Sequence, residues 1–287
     1  MSAEKALSGP ERVEGFQNPE SARYDPDLDV WFVSNVNGSP LEKDNNGYVA
    51  RLGGDGAIDS LKFIAGGANG VTLHAPKGLA IVGDTLWVAD IDAARAFDKR
   101  TGAPLLAVEL AGQAKFLNDV AAGPDGIYLT DTGVGPDAKG AVGHTGPDRI
   151  FRVAPDHSAT LALESDSLGG PNGIAWDAEH RRFVVVPFFG TTIRGWRPGD
   201  VQVVALGTGP GQEDGAEVLG GGRVLISSWA DSSLFLFEDG RVTTVYRGLP
   251  SAADIGIDTR RGRVAIPLLL ENRVEFRSLP GATTTTP

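Results

Sequence analysis

PNGIAWD at residues 171–177 is the stretch that decides the fold: a proline, a polar side chain and a glycine lead into an alternating apolar run. Five other segments can be laid over it: NPESARYD (18–25), APKGLAIVG (75–83), LNDVAAGPDG (117–126), EDGAEVLGGG (213–222) and ADIGID (253–258). Each sets a polar residue beside Pro, Gly or another small residue, then continues with a period-2 stretch and a turn, as a strand with a buried face requires. The polar residues are Glu20, Lys77, Asn118, Asn172, Asp214 and Asp254, spaced 57, 41, 54, 42 and 40 residues apart. Self-similarity at such an interval marks a repeat architecture.

Outward from these segments the same order of strands returns. Second strands follow as DVWFVSN, DTLWVAD, DGIYLTD, RRFVVVPF, GRVLISSW and GRVAIPLL, and third strands as YVARL, ARAFD, RIFRV, TIRGW, SLFLF and RVEFR. Fourth strands are visible in five units only: SLKFI, LLAVEL, TLALE, VQVVAL and VTTVYR. The sixth unit runs out in GATTTTP, a poor strand, whereas ERVEGF at 11–16 belongs to no unit and can supply the missing strand from the N-terminus. Such a swap removes two exposed sheet edges. The expected fold is therefore all-β: one six-bladed β-propeller of four-stranded blades over residues 11–280, closed by an N-terminal strand, with flexible ends at 1–10 and 281–287.

Composition agrees and narrows the partners. The 39 glycines of the 287 residues fall mostly between short apolar runs, and 41 % apolar content supports a substantial core. A net charge of −11 disfavours nucleic acid or anionic lipid as partner and suits a cation. With no cysteine there is no disulfide, thiol nucleophile or thiolate metal site. The densest apolar run, VAIPLLL at 264–270, is broken by Pro267, so no membrane-spanning segment is expected. MSAEKALSGP lacks an apolar signal core, so the chain reads as soluble; a removed signal would leave the same start, and the compartment stays open.

In a propeller the innermost strands start around the mouth of a central channel, so the six polar residues should converge there. The loops between second and third strands lie on the same face, and the third, TDTGVGPDAKGAVGHTGPD (130–148), is the longest and carries His144 and five glycines. His144, Phe188 and Trp229, all on such loops, are candidate substrate-binding residues. Glu20, Asp214 and Asp254 bring three carboxylates together, with Lys77 offsetting one. Such a ring must protonate, hydrate or hold a cation. Oxygen donors without Cys or His favour Ca2+, with Mg2+ and Mn2+ compatible and Zn2+ less natural. Ordered water in a structural channel is the alternative occupant.

NPESARYDP with Glu20, FLND with Asn118, PNGIAWD with Asn172 and EDGAEVL with Asp214, in that order, resemble the regucalcin/gluconolactonase (senescence-marker-protein) family over roughly residues 15–280. That resemblance implies a six-bladed propeller with one divalent cation, usually calcium or zinc, in its channel. It further implies Glu20, Asn172 and Asp214 as the metal ligands and Asn118 as a substrate or metal contact. The expected activity is metal-dependent hydrolysis of a lactone or related ester, a small-molecule substrate. Asp214 would be the general base for an attacking water or a direct nucleophile, and Asn118 and Lys77 would hold the developing oxyanion. Lys77 departs from the family pattern; it can pair with carboxylates, face the substrate or lean into solvent. Two rivals share the fold: a non-catalytic binding propeller and a metal-free strictosidine-synthase-like enzyme.

Overall fold

A computed structural model describes residues 9–280, and among these residues strands are joined by turns with only two short 3-10 segments, Asp166–Leu168 and Leu269–Glu271. Six antiparallel four-stranded sheets follow one another around a central channel. Blades 1 to 5 begin on the innermost strands Pro19–Asp25, Pro76–Val82, Leu117–Gly123, Pro171–Asp177 and Glu213–Gly220. Blade 6 runs outward from Gly256–Asp258 through Arg263–Leu268 and Arg273–Ser278 to Arg12–Glu14. The last strand comes from the N-terminus, in the register Arg12↔Glu275, Val13↔Val274 and Glu14↔Arg273. The ring is closed by this strand, as the unassigned ERVEGF segment predicted. Of the expected flexible ends, 1–8 and 281–287 lie outside the described residues, while the Pro10 carbonyl accepts a hydrogen bond from Arg263.

Period-2 alternation explains the packing. Along the second strand of blade 1, Trp31 and Val33 face blade 6 while Phe32 faces blade 2. Each blade thus buries both faces, and one apolar layer fills each of the six blade interfaces. The sequence places the outer strand of blade 4 at 201–206; it is Val204–Thr208, because it pairs Gly195↔Val204 and Thr192↔Thr208 after the turn at Pro198–Gly199.

Two local devices shape the channel. The polar residue ending several second strands accepts backbone N–H groups from the segment entering the blade: Asn35 from Gln17, Asp90 from His74 and Ala75, and Asp131 from Lys115 and Phe116. Then a bulge follows the first residue of each innermost strand in blades 1 to 5, so that two successive residues turn toward the axis. At the second of these the neighbouring strand presses in: a Cβ on Gly78 would lie 2.3 Å from Asp119, and one on Gly215 would lie 2.6 Å from Asp254. Glycine is required there by close approach rather than by turn geometry.

These contacts correct one placement. Ser21 bridges Asp254, and Ala252 pairs with Leu268, so the residue of blade 6 equivalent to Glu20 and Lys77 is Ala253. Asp254 belongs one tier deeper, level with Ser21 and Asp119. ADIGID, like FLND, has no Pro or Gly beside its polar residue, and here the alignment slips by one position.

Candidate functional site

Five innermost strands deliver Glu20, Lys77, Asn118, Asn172 and Asp214 to the floor of one cavity of about 280 Å³ at the channel mouth. All five are only 2 to 7 % exposed, which removes the solvent-facing alternative for Lys77. Above this floor stands an aromatic wall of Phe116, Phe188, Phe189 and Trp229. Phe188 lies edge-on to Trp229 with centroids 5.6 Å apart and to Phe189 at 5.3 Å.

Each floor residue is held differently. Asn118 donates from Nδ2 to Thr132 Oγ1 at 3.0 Å, and that hydroxyl donates to the Pro171 carbonyl at 2.8 Å. This relay fixes the amide plane of Asn118 and leaves its second N–H and its carbonyl oxygen for the cavity. The Lys77 ammonium donates to the carbonyls of Ala75 at 3.2 Å and Pro40 at 3.4 Å and lies 4.2 Å from the centre of the Phe116 ring. Burial pulls it down to about 8, against the opposing influence of Glu20 and Asp90.

The carboxylates are the unsatisfied groups. Glu20 Oε2 and Asp214 Oδ1 are fully buried and have no hydrogen-bond partner. Burial first, and then the charges of Asp214 and Asp254, push the Glu20 carboxyl well above its ordinary range. Asp214 is raised by burial and by Asp254, partly offset by the neighbouring side chains of Trp229 and Asn172. The Trp229 Nε1 hydrogen nevertheless has no partner at hydrogen-bond geometry.

The tier below was not foreseen from sequence. Asp119, next to Asn118, accepts from the backbone N–H groups of Val120 at 2.7 Å and Ile174 at 2.8 Å. Asp254 accepts from Ser21 Oγ at 2.5 Å and lies 3.6 Å from Arg23. Burial and the Asp254 charge raise Asp119, so these two carboxylates sense each other across the channel. FLND carries the signal, since it places an acid where PKG, PNG and EDG have glycine, and Asp254 takes the same place in blade 6.

His144 does not line the cavity. It ends the hairpin Val134–Pro136/Val142–His144, stacks on Phe189 with centroids 4.8 Å apart, and places Nε2 2.6 Å from Asp148 Oδ1. Asp148 in turn accepts from the Gly170 N–H at 2.6 Å, so the long loop is fastened to the segment entering blade 4. Phe116, Val134 and Thr132 do line the cavity and were not singled out in the sequence, where they read as ordinary strand and loop residues.

The larger cavity, about 550 Å³, is at the opposite mouth, lined by Arg23, Glu217, Lys99, Trp176 and small residues such as Ala80 and Ala121. Its charges are matched: Arg23 pairs with Glu217, and Lys99 lies 2.9 Å from Asp25. Asp25 Oδ2 makes no hydrogen bond but is answered by Lys99, whereas Glu20 Oε2 and Asp214 Oδ1 have neither a hydrogen bond nor an ion pair, which makes the smaller cavity the candidate site. Among the described residues no three or more His, Cys, Asp and Glu side chains form a metal cluster. Two carboxylates and the amide oxygens of Asn118 and Asn172 are what the mouth offers an ion. Hard oxygen donors of this kind suit a hard divalent cation, and the partnerless Glu20 and Asp214 oxygens fit one.

The family model for the SMP-30/Gluconolactonase/LRE-like region matches residues 19–247. No curated protein matches the chain in sequence. A gluconolactonase from Xanthomonas campestris is similar in structure at TM-score 0.68 and 18 % identity, covering 97 % of this chain and 94 % of that one. A chain assigned to the gluconolactonases gives TM-score 0.68 at 17 % identity over 95 % of each. A structure of a nidogen/laminin complex gives TM-score 0.61 at 16 % identity over 79 % of this chain and 80 % of that one. At these identities the likenesses establish the propeller fold.

Proposed function

The chain belongs to the SMP-30/gluconolactonase/LRE-like family, and from that premise we propose that it hydrolyses a lactone or related ester at the Glu20–Asp214 mouth with one divalent cation, Ca2+ by preference. The observation that carries this is the pair of buried, partnerless oxygens, Glu20 Oε2 and Asp214 Oδ1, on the floor of an open cavity. A buried carboxylate oxygen without a protein partner costs about 1–3 kcal/mol or more unless a ligand answers it. Glu20, Asn172 and Asp214 would hold the ion, which when bound supplies Lewis-acid polarisation of the substrate carbonyl.

The chain's own groups account for the rest. Asp214, whose Oδ1 has no protein partner, would also be the group placed to take a proton from an attacking water. Asn118, oriented through Thr132, presents its free N–H where an oxyanion would develop. Lys77, with a pKa of about 8, is mostly protonated at neutral pH and adds positive charge from the neighbouring blade. The aromatic wall excludes water from one side of the cavity.

Turnover of a panel of lactones and esters by chelator-treated protein, before and after adding Ca2+, Zn2+, Mg2+ or Mn2+, tests the assignment. Hydrolysis restored by one of these ions is expected. Hydrolysis unaffected by chelation, or none with any ion, would overturn the metal-dependent mechanism or the hydrolase assignment respectively.

A further inference from the structure

On the premise that this mouth hydrolyses a lactone or ester, we propose that its substrate carries an apolar alkyl or aryl substituent, and is not a polyhydroxylated sugar lactone. The polar groups of the cavity lie on its floor, where the reacting ester must sit. Above the floor Phe116, Phe188, Phe189 and Trp229 form one wall, and Val36, Val134 and Leu269 add aliphatic surface. Two polar side chains interrupt this lining: Thr132 is occupied, and Asn18 keeps one amide N–H. Asn18 accepts from the Gly38 N–H at 3.2 Å and donates to the Leu269 carbonyl at 3.4 Å. The Thr132 hydroxyl is used by Asn118 and the Pro171 carbonyl. The Trp229 indole N–H, which has no partner, lies beside Asp214 at the floor rather than out on the wall.

A sugar lactone carries hydroxyls on successive ring carbons. Those turned toward this wall would be desolvated with only the one Asn18 N–H to answer them, at about tenfold in affinity for each left unanswered. An alkyl chain gains from the same wall, by about fourfold per buried methylene. The wall is also braced rather than free to refold around a polar guest: Phe189 is stacked on His144, whose ring is tied to Asp148. Backbone hydrogen bonds from Phe188 to Gly170 at 2.8 Å and from Phe189 to Gly169 at 3.0 Å hold the two rings in place.

Three lactones with the same six-membered ring test this: δ-valerolactone, δ-octalactone and glucono-δ-lactone. Two quantities are measured with Ca2+ present. One is kcat/KM for the wild type, divided by the uncatalysed rate. The other is Kd for the Asp214→Asn variant, read by calorimetry. The expected result is at least tenfold preference for δ-octalactone over either of the others in both quantities, with the advantage over δ-valerolactone largely lost in Phe188→Ala. Preference for glucono-δ-lactone, or a chain-length advantage that Phe188→Ala leaves intact, overturns the substrate class while leaving the hydrolase assignment standing. Selective binding of δ-octalactone without turnover of any of the three does the reverse. Binding of none of the three overturns the proposal.

Discussion

The two mouths of the channel treat buried charge in opposite ways. At the far mouth Arg23 sits between Glu217 and Asp254, donates to the Leu79 carbonyl, and is held charged by those neighbours. At the near mouth Glu20 and Asp214 keep oxygens without partners, and the nearby Lys77 spends its donors on backbone carbonyls. Both ends are built from the same strands, a few residues apart. A paired buried charge holds blades together; an unpaired one is a cost the fold carries for a ligand. On the proposed function, the difference separates a structural end from a functional end.

The largest perturbation should not distinguish the two. Deleting residues 1–17 removes the closing strand together with Val13 and Phe16, which are buried against Trp31 and Phe276. A loss of about 5 kcal/mol is expected from those two side chains and the reopened sheet edges, read by urea unfolding. Unchanged stability would show that closure matters to neither mouth. Asp214→Asn should split the ends apart: turnover should fall about a thousandfold, while the metal-free protein should hold or gain stability, because the variant deletes a partnerless buried charge. Near-normal turnover at saturating metal would leave Asp214 a ligand at most.

Arg23→Met is the converse and should cost about 3 kcal/mol at pH 8, since it strands Glu217 and Asp254. The sign with pH follows from raised carboxyls. Glu217 is pushed up to about 7 by burial, with Arg23 opposing, so between its unfolded value and pH 7 the native state binds the extra proton and stability falls as pH rises. The loss in Arg23→Met should therefore shrink toward pH 5, and a penalty independent of pH would point to lost packing instead. Lys77→Met should have the smallest effect, about tenfold in turnover with little change in metal affinity if the ammonium serves the oxyanion. A rise in metal affinity would instead make Lys77 a counter-charge to Glu20. No change in either would leave it a packing residue of the Phe116 ring.

The fold was legible because propeller blades repeat local signals: Pro or Gly before an alternating strand, and a polar residue ending the next. Even the closing strand was visible, as a segment left over at one end and a strand missing at the other. Register failed where those signals thin out, at ADIGID, and Ala253 took the place assigned to Asp254. The convergence of Glu20, Lys77, Asn118, Asn172 and Asp214 followed from the repeat, as did the loops bearing Phe188 and Trp229. The Thr132 relay, the Asp119 tier and the Arg23–Glu217 pair were not legible, because each depends on which neighbouring blade a strand residue meets. Strand periodicity gives the face a side chain takes, not its partner. His144 shows the same limit: its loop was correctly expected at the mouth, yet the ring braces Phe189 from behind.

Calorimetric titration of Ca2+ into chelator-treated wild type and into Glu20→Gln tests most directly whether the unpaired mouth is kept for an ion. The account predicts about one ion per wild-type chain, bound at least tenfold more weakly by the variant, which loses a charged ligand. No binding of Ca2+, Zn2+, Mg2+ or Mn2+ by the wild type, or equal affinity in both proteins, would contradict it.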